Sequence, residues 1–231
     1  MLKKLIPQPL FTLMQADAYC RIPINVEDLG VDMLTLSNHK ILASKGAGAL
    51  YVRNGVKVEK IIHGALSTQT LWLGVENVPS IVGFHKAAEL VYRDFNKQVT
   101  YVKELRERLL NGILNEIQEV LVNGPLGEKR VVDNLNVSFL YVEGEAITIE
   151  LSLNGIYVSS GSACTSRVLE PSHALLAIGR RHEEAHGSIL FKLSRYHSPE
   201  DVEYTLKVLQ ESINRLRRIS SIKPRRAKNV H

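Results

Sequence analysis

The stretch LTLSNHKILASKGAGA, residues 34–49, decides how the rest of the chain is read. An apolar run ends at Ser37, and Asn38, His39 and Lys40 follow without interruption. Gly46 and Gly48 then precede a second apolar run, Ala49, Leu50, Tyr51 and Val52. The first run, bounded upstream by Gly30, predicts a short buried strand over 31–37, and the second predicts another over 49–52. Polar and charged side chains are thus placed where a buried strand runs out. A hydroxyl and an imidazole there can hydrogen-bond an anion, together with exposed backbone N–H groups of the turn. Ser-x-His-Lys alone is equally the sequence of a solvated turn with a surface lysine.

Working outward, 231 residues can bury a real core as one large domain or two small ones. A hydrophobic fraction of 45% with 23% charged residues is that of a globular chain, and no apolar run approaches the roughly 20 residues of a membrane helix. No membrane partner is expected. Two cysteines, Cys20 and Cys164, lie far apart with no CxxC spacing, which argues against a disulfide framework or a cysteine zinc site and for a reducing, cytoplasmic compartment. The net charge of +5 concentrates late, at Arg215, Arg217, Arg218 and in KPRRAK, residues 223–228. Without aromatic residues among those charges the expectation is a solvated tail, not a nucleic-acid surface. The opening MLKKLIPQPLF lacks the continuous apolar region of a signal peptide, so no export is expected.

A helix is expected to begin after Val78-Pro79. In its continuation Phe95, Val99, Val102, Leu105, Leu109, Ile113, Ile117 and Val120 recur at steps of three and four, one apolar stripe that Asn123-Gly124-Pro125 ends. Gly112 inside the stripe costs about 1 kcal/mol relative to alanine and predicts a kink. Alternation at Leu135, Val137, Phe139 and Tyr141 predicts a half-buried strand. Gly144 then opens a helix through about Leu153, closed by Asn154-Gly155. Residues 156–158 and 189–193 read as strands, and Ser198-Pro199-Glu200-Asp201 caps a final helix with Val202, Leu206, Leu209, Ile213 and Leu216 buried. This β-α-β-loop-α-β-α order predicts a small α/β layer domain.

A lysine just past a phosphate-holding turn can approach an aldehyde on the same molecule. That suits pyridoxal phosphate, whose aldehyde forms a Schiff base with a lysine. A second stretch adds a nucleophile. In SSGSACTSRVLEP, residues 159–171, Cys164 sits among small and hydroxyl residues, the composition of an exposed loop, whereas a structural cysteine belongs in an apolar run. Arg167 would favour its thiolate if the two approach.

Residues 34–55, 76–90 (ENVPSIVGFHKAAEL) and 159–179 (SSGSACTSRVLEPSHALLAIG) together resemble the NifS/IscS cysteine desulfurases, enzymes of the class V aminotransferase fold. The resemblance runs from about Ile22 to the last helix and corresponds to the later portion of a longer family chain. It implies an α/β fold: part of the large, aspartate aminotransferase-like domain of pyridoxal phosphate enzymes over 1–124 including the long connecting helix, a small α/β domain with a mobile cysteine loop over 125–222, and a basic tail over 223–231. It implies that Ser37 and His39 hold the cofactor phosphate, that Lys40 carries the cofactor, that Asp17 stands where a glutamine reaches the ring hydroxyl, and that Cys164 takes sulfur from L-cysteine, leaving L-alanine and a persulfide. It further implies a homodimer, or a complex with a chain supplying the upstream half, and an iron–sulfur scaffold or other sulfur acceptor as partner. Several family positions carry other residues here: Met14 where an aspartate pairs with the ring nitrogen, Trp72-Leu73-Gly74-Val75 in place of Arg-Ser-Gly-Thr, and Leu190 where an arginine clamps the substrate carboxylate. A methionine cannot stabilise a protonated ring nitrogen, and leucine cannot imitate a bidentate arginine. A non-catalytic relative that keeps the fold as a binding or scaffold-interaction protein therefore stays open beside the enzyme.

Overall fold

Residues 34–49 form a strand, a turn and a returning strand in a computed structural model that describes residues 10–15, 18–61, 71, 74–161 and 170–221. Asp17, Cys164, Trp72, Leu73 and the tail beyond 221 lie outside the described residues. The chain divides into two compact units, residues 1–96 and 97–231.

In the first unit β1 (Thr12–Met14), β2 (Met33–Ser37) and β3 (Gly48–Val52) build a three-stranded sheet in the order β1-β2-β3, with α1 (Val26–Leu29) between β1 and β2 in the chain. β1 runs parallel to β2, with Thr12 beside Met33 and Met14 beside Thr35, and β3 returns antiparallel, with Ser37 beside Gly48. Gly48 is required by close approach: a Cβ there would stand 2.9 Å from the carbonyl oxygen of Leu36. α2 (Val78–Arg93) starts where the Val-Pro signal predicts, with the Asn77 side chain accepting from the Ser80 N–H at 3.2 Å. α3 (Phe95–Glu116) is a separate helix, divided from α2 at Asp94.

The second unit holds a four-stranded sheet in the order β4-β5-β7-β6, from β4 (Val120–Val122), β5 (Asn134–Phe139), β7 (Ser188–Lys192) and β6 (Ser159–Ser160), all neighbours antiparallel. Its helices are α3, α4 (Gly144–Leu153), α5 (His173–Ala177), α6 (His182–His186) and α7 (Pro199–Ile219). Leu105, Leu109 and Ile113 of α3, Leu135, Val137 and Phe139 of β5, Ile147 and Leu151 of α4, Ile189 of β7, and Leu209 and Ile213 of α7 close into one core. Full burial of each such side chain is worth about 1.5–3 kcal/mol. That packing groups the long helix with residues 97–231, whereas the sequence placed it in a domain ending at 124.

Three expectations are corrected. The apolar stripe is not helical to its end: the helix stops at Glu116, Glu119 takes a left-handed φ of 54°, and Val120 enters β4, because two β-branched residues and Leu121 pair better with β5 than they wind. Gly112 marks close packing inside one continuous helix, since a Cβ there would meet Leu206, with Cδ2 at 2.7 Å. The strand expected over 156–158 forms at Ser159–Ser160 instead, after Ile156 and Val158 have packed against the core. The final helix starts as read, with Ser198 and Asp201 forming a reciprocal capping box and Pro199 in the first turn.

Candidate functional site

The end of β2 turns directly into a single 3₁₀ turn, Asn38–Ile41. Ser37 is half-buried and makes no side-chain cap bond to that turn. His39 is exposed and Lys40 half-buried. The structure therefore brings three of the sequence-derived residues, Ser37, His39 and Lys40, together at one strand end. The turn closes on Leu42, whose φ of 67° lets its N–H reach the carbonyls of Asn38 and His39.

Three side chains, Arg21, Ser80 and Asn38, hydrogen-bond to this segment, and a fourth, Asn77, lies beside it. Arg21 donates to the Lys40 carbonyl at 3.1 Å and to that of Tyr19 at 3.4 Å. Ser80, at the start of α2, donates to the Lys45 carbonyl at 3.4 Å. Asn77, the cap of α2, lies against Gly46, whose φ of 100° turns the chain toward β3. Asn38 was passed over in the sequence reading and is the most enclosed of the group, with no exposed surface. Its Oδ1 accepts from the His39 N–H at 2.8 Å and its Nδ2 donates to the Ser44 carbonyl. An asparagine between a serine and a histidine carries no sequence signal that separates a buried brace from a solvated turn residue.

Cys20 precedes Arg21 and adopts a φ of 63°, in the left-handed region where only glycine sits without strain. It is half-buried. Met14 ends β1, three-quarters exposed at 78%, and Val75 is exposed ahead of α2.

Cys164 itself lies outside the described residues, and the described segments on either side of it belong to the second unit. On the near side Ser159 and Ser160 pair with Leu190 and Ile189. Gly144 allows this flank to approach the start of α4, since a Cβ there would stand 3.1 Å from the Cβ of Ser160. On the far side α5 is followed by Arg180, which donates to Asn123 Oδ1 and to the Val122 carbonyl, each at 2.6 Å. Leu190 sits half-buried between Ser159 and Asn136 in the register of the sheet. The sequence marked Cys164 and Leu190 but gave no warning of Arg180, whose partners come from 57 and 58 residues upstream.

The Aminotransferase class-V family matches residues 10–205. A cysteine desulfurase of Archaeoglobus fulgidus, IscS 1, is 46% identical over 202 residues, covering 87% of this chain and 52% of that protein. Among solved structures, a NifS-like protein superposes with a TM-score of 0.80 at 32% identity, covering 93% of this chain and 55% of its own. A structure of SspA in complex with cysteine matches at a TM-score of 0.59 and 28% identity, over 85% of this chain and 53% of its own. The chain spans about half the length of the curated relatives it matches. Two units of mixed α/β architecture, with the strand-end lysine in the first and the segments on either side of Cys164 in the second, thus carry a match over residues 10–205, and the chain belongs to the class-V aminotransferase family.

Proposed function

We propose that the chain carries the lysine and cysteine half of a cysteine desulfurase. The observation that supports this is the gathering of Ser37, His39 and Lys40 at the end of β2, in a turn tied by hydrogen bonds from Arg21, Asn38 and Ser80, in a chain whose relatives include cysteine desulfurases. On this proposal the hydroxyl of Ser37 and the imidazole of His39 hold the phosphate of pyridoxal phosphate, Lys40 holds its aldehyde carbon, and Asp17 is a further cofactor-binding residue. The donor set fits the phosphate and the aldehyde, while Met14 does not fit the ring nitrogen. When bound, the cofactor supplies an electron sink for the substrate's Cα.

Cys164 attacks the substrate sulfur as a thiolate. The Cβ–S bond of L-cysteine breaks, a sulfur–sulfur bond forms on Cys164, and the Cβ gains a proton to leave as L-alanine. Sulfur is oxidised and carbon reduced within one exchange, so no outside oxidant is consumed. Lys40, at the strand end, is the group that moves the proton. Its substrate is L-cysteine. Its partners are a second copy or a chain supplying the upstream half, and an iron–sulfur scaffold or other sulfur acceptor, in a reducing cytoplasm that keeps Cys164 a thiol.

The second proposal is a binding protein that keeps the fold without turnover, favoured by the exposed Met14 and by Leu190. One experiment separates them. The full chain is mixed with pyridoxal phosphate, reduced with borohydride and mapped, and is separately given L-cysteine. Visible absorbance, a label on Lys40, and alanine formed with a Cys164 persulfide are the expected results. Label on Lys45 or a tail lysine with Lys40 untouched would overturn the site; label on Lys40 without alanine would favour the binding protein.

A further inference from the structure

We infer that Asn38 is a positioning residue of this site, the brace that aims His39 and Lys40; the inference rests on the pyridoxal phosphate site proposed above. Asn38 is completely buried and every hydrogen-bonding end of it is engaged. Its side-chain oxygen takes the His39 N–H, its side-chain nitrogen gives to the Ser44 carbonyl, its own carbonyl takes the N–H of Leu42 and of Ala43, and its N–H reaches the Ala47 carbonyl at 3.5 Å. One side chain thus ties the start of the turn at His39 to its far side at Ser44, and the backbone of the same residue ties it to the approach to β3.

The 3₁₀ turn contains only four residues, so its own backbone bonds cannot hold it in one shape. Ser37 contributes no cap bond to it. Of the side chains that hold this segment, Arg21 and Ser80 each reach it at one carbonyl, those of Lys40 and Lys45. Asn38 alone among them spans the loop by donating and accepting together. Removing a buried amide that serves both a donor and an acceptor leaves the His39 N–H and the Ser44 carbonyl to find other partners. The ligand-ready shape of the turn is then populated for only a fraction of the time, and affinity falls by that fraction.

The test uses the full chain and the variants Asn38→Ala and Asn38→Ser. Hydrogen exchange of the His39 amide reports the brace without any cofactor, and it is expected to quicken about tenfold or more in Asn38→Ala, for the loss of about one buried hydrogen bond. Asn38→Ser, whose hydroxyl can still accept from a neighbouring N–H, is expected to fall between. Pyridoxal phosphate with borohydride then gives the ratio of label on Lys40 to label on Lys45. Protected exchange of the β2 and β3 amides shows that the labelled chain is folded, and in that folded chain loss of aim shifts the ratio about tenfold against Lys40. Faster exchange with a shifted ratio supports the inference. Unchanged exchange at His39 overturns it, as does an unchanged ratio in a chain that labels at Lys40. If the wild-type chain takes up no cofactor, the proposed function fails and His39 exchange alone decides the role of Asn38.

Discussion

Tyr19, Cys20 and Arg21 show how single residues set the edge of the candidate site. Arg21 reaches back to the Lys40 carbonyl, so the conformation at Cys20 fixes where one brace of the turn begins. A non-glycine residue at φ 63° costs about 1–2 kcal/mol. Neighbouring aromatic contacts hold it: Tyr19 meets Phe84 edge-on at 6.3 Å and Tyr92 at 5.9 Å. Burial, then the neighbouring Cys20 and Tyr92, push the Tyr19 phenol well above its usual range. A phenol raised in the folded state stabilises the fold fully below the ordinary tyrosine value, about 10, and that contribution is lost as pH rises beyond it. The first unit is therefore expected to lose stability on alkaline titration above about pH 10, and Tyr19→Phe to flatten that slope. Urea midpoints measured across that range decide it; equal slopes in the two proteins would contradict the account.

At the scale of elements, backbone approaches matter more than propensities. Gly187 joins α6 to β7 at an ordinary φ of −81°, yet a Cβ there would run into the Phe139 carbonyl and stand 2.9 Å from that of Val142. The same two segments are joined by the Phe139 N–H bond to the Gly187 carbonyl at 2.9 Å. Gly187→Ala is expected to force β5 and β7 apart and to cost about 2–3 kcal/mol, read as a lower urea midpoint of the second unit. A midpoint unchanged within error would show that this junction yields freely. The end of α3 follows from the same physics: once Val120, Leu121 and Val122 can pair with β5, the helix gains nothing by continuing through them.

For the whole molecule, the two units differ in how much they bury. The buried apolar side chains of the first unit are Val31, Leu34, Ile41 and Val91 among the described residues, whereas the second closes a continuous core from α3 through α7. Stability scales with buried apolar surface, so the first unit is expected to open at lower denaturant than the second, in two steps seen by hydrogen exchange of the full chain. Pyridoxal phosphate, bound at Lys40, should raise the first step and leave the second in place by mass action. A single transition shared by the amides of both units would refute this.

The sequence by itself determined the elements whose signals are local. The strand ending at Ser37, the start of α2 at Val78, the span of α4 and the capped start of α7 each rest on periodicity or on a cap within a few residues, and each stands in the structure. It also brought Ser37, His39 and Lys40 together, because residues adjacent in the chain at a strand end must be adjacent in space. Only the tertiary structure decided what distant partners supply. Val120 is a strand residue because β5 lies beside it, Gly112 is a contact point because Leu206 packs there, and the long helix joins the second unit because its stripe meets β5 and α7. Asn38 is a brace and not a surface amide because the chain returns past it at Ser44, and Arg180 is tied to β4 because that strand ends within its reach. Short-range signals are written into the order of side chains; burial and hydrogen-bond partners arise only when segments far apart in sequence meet, and no pattern within one segment encodes them.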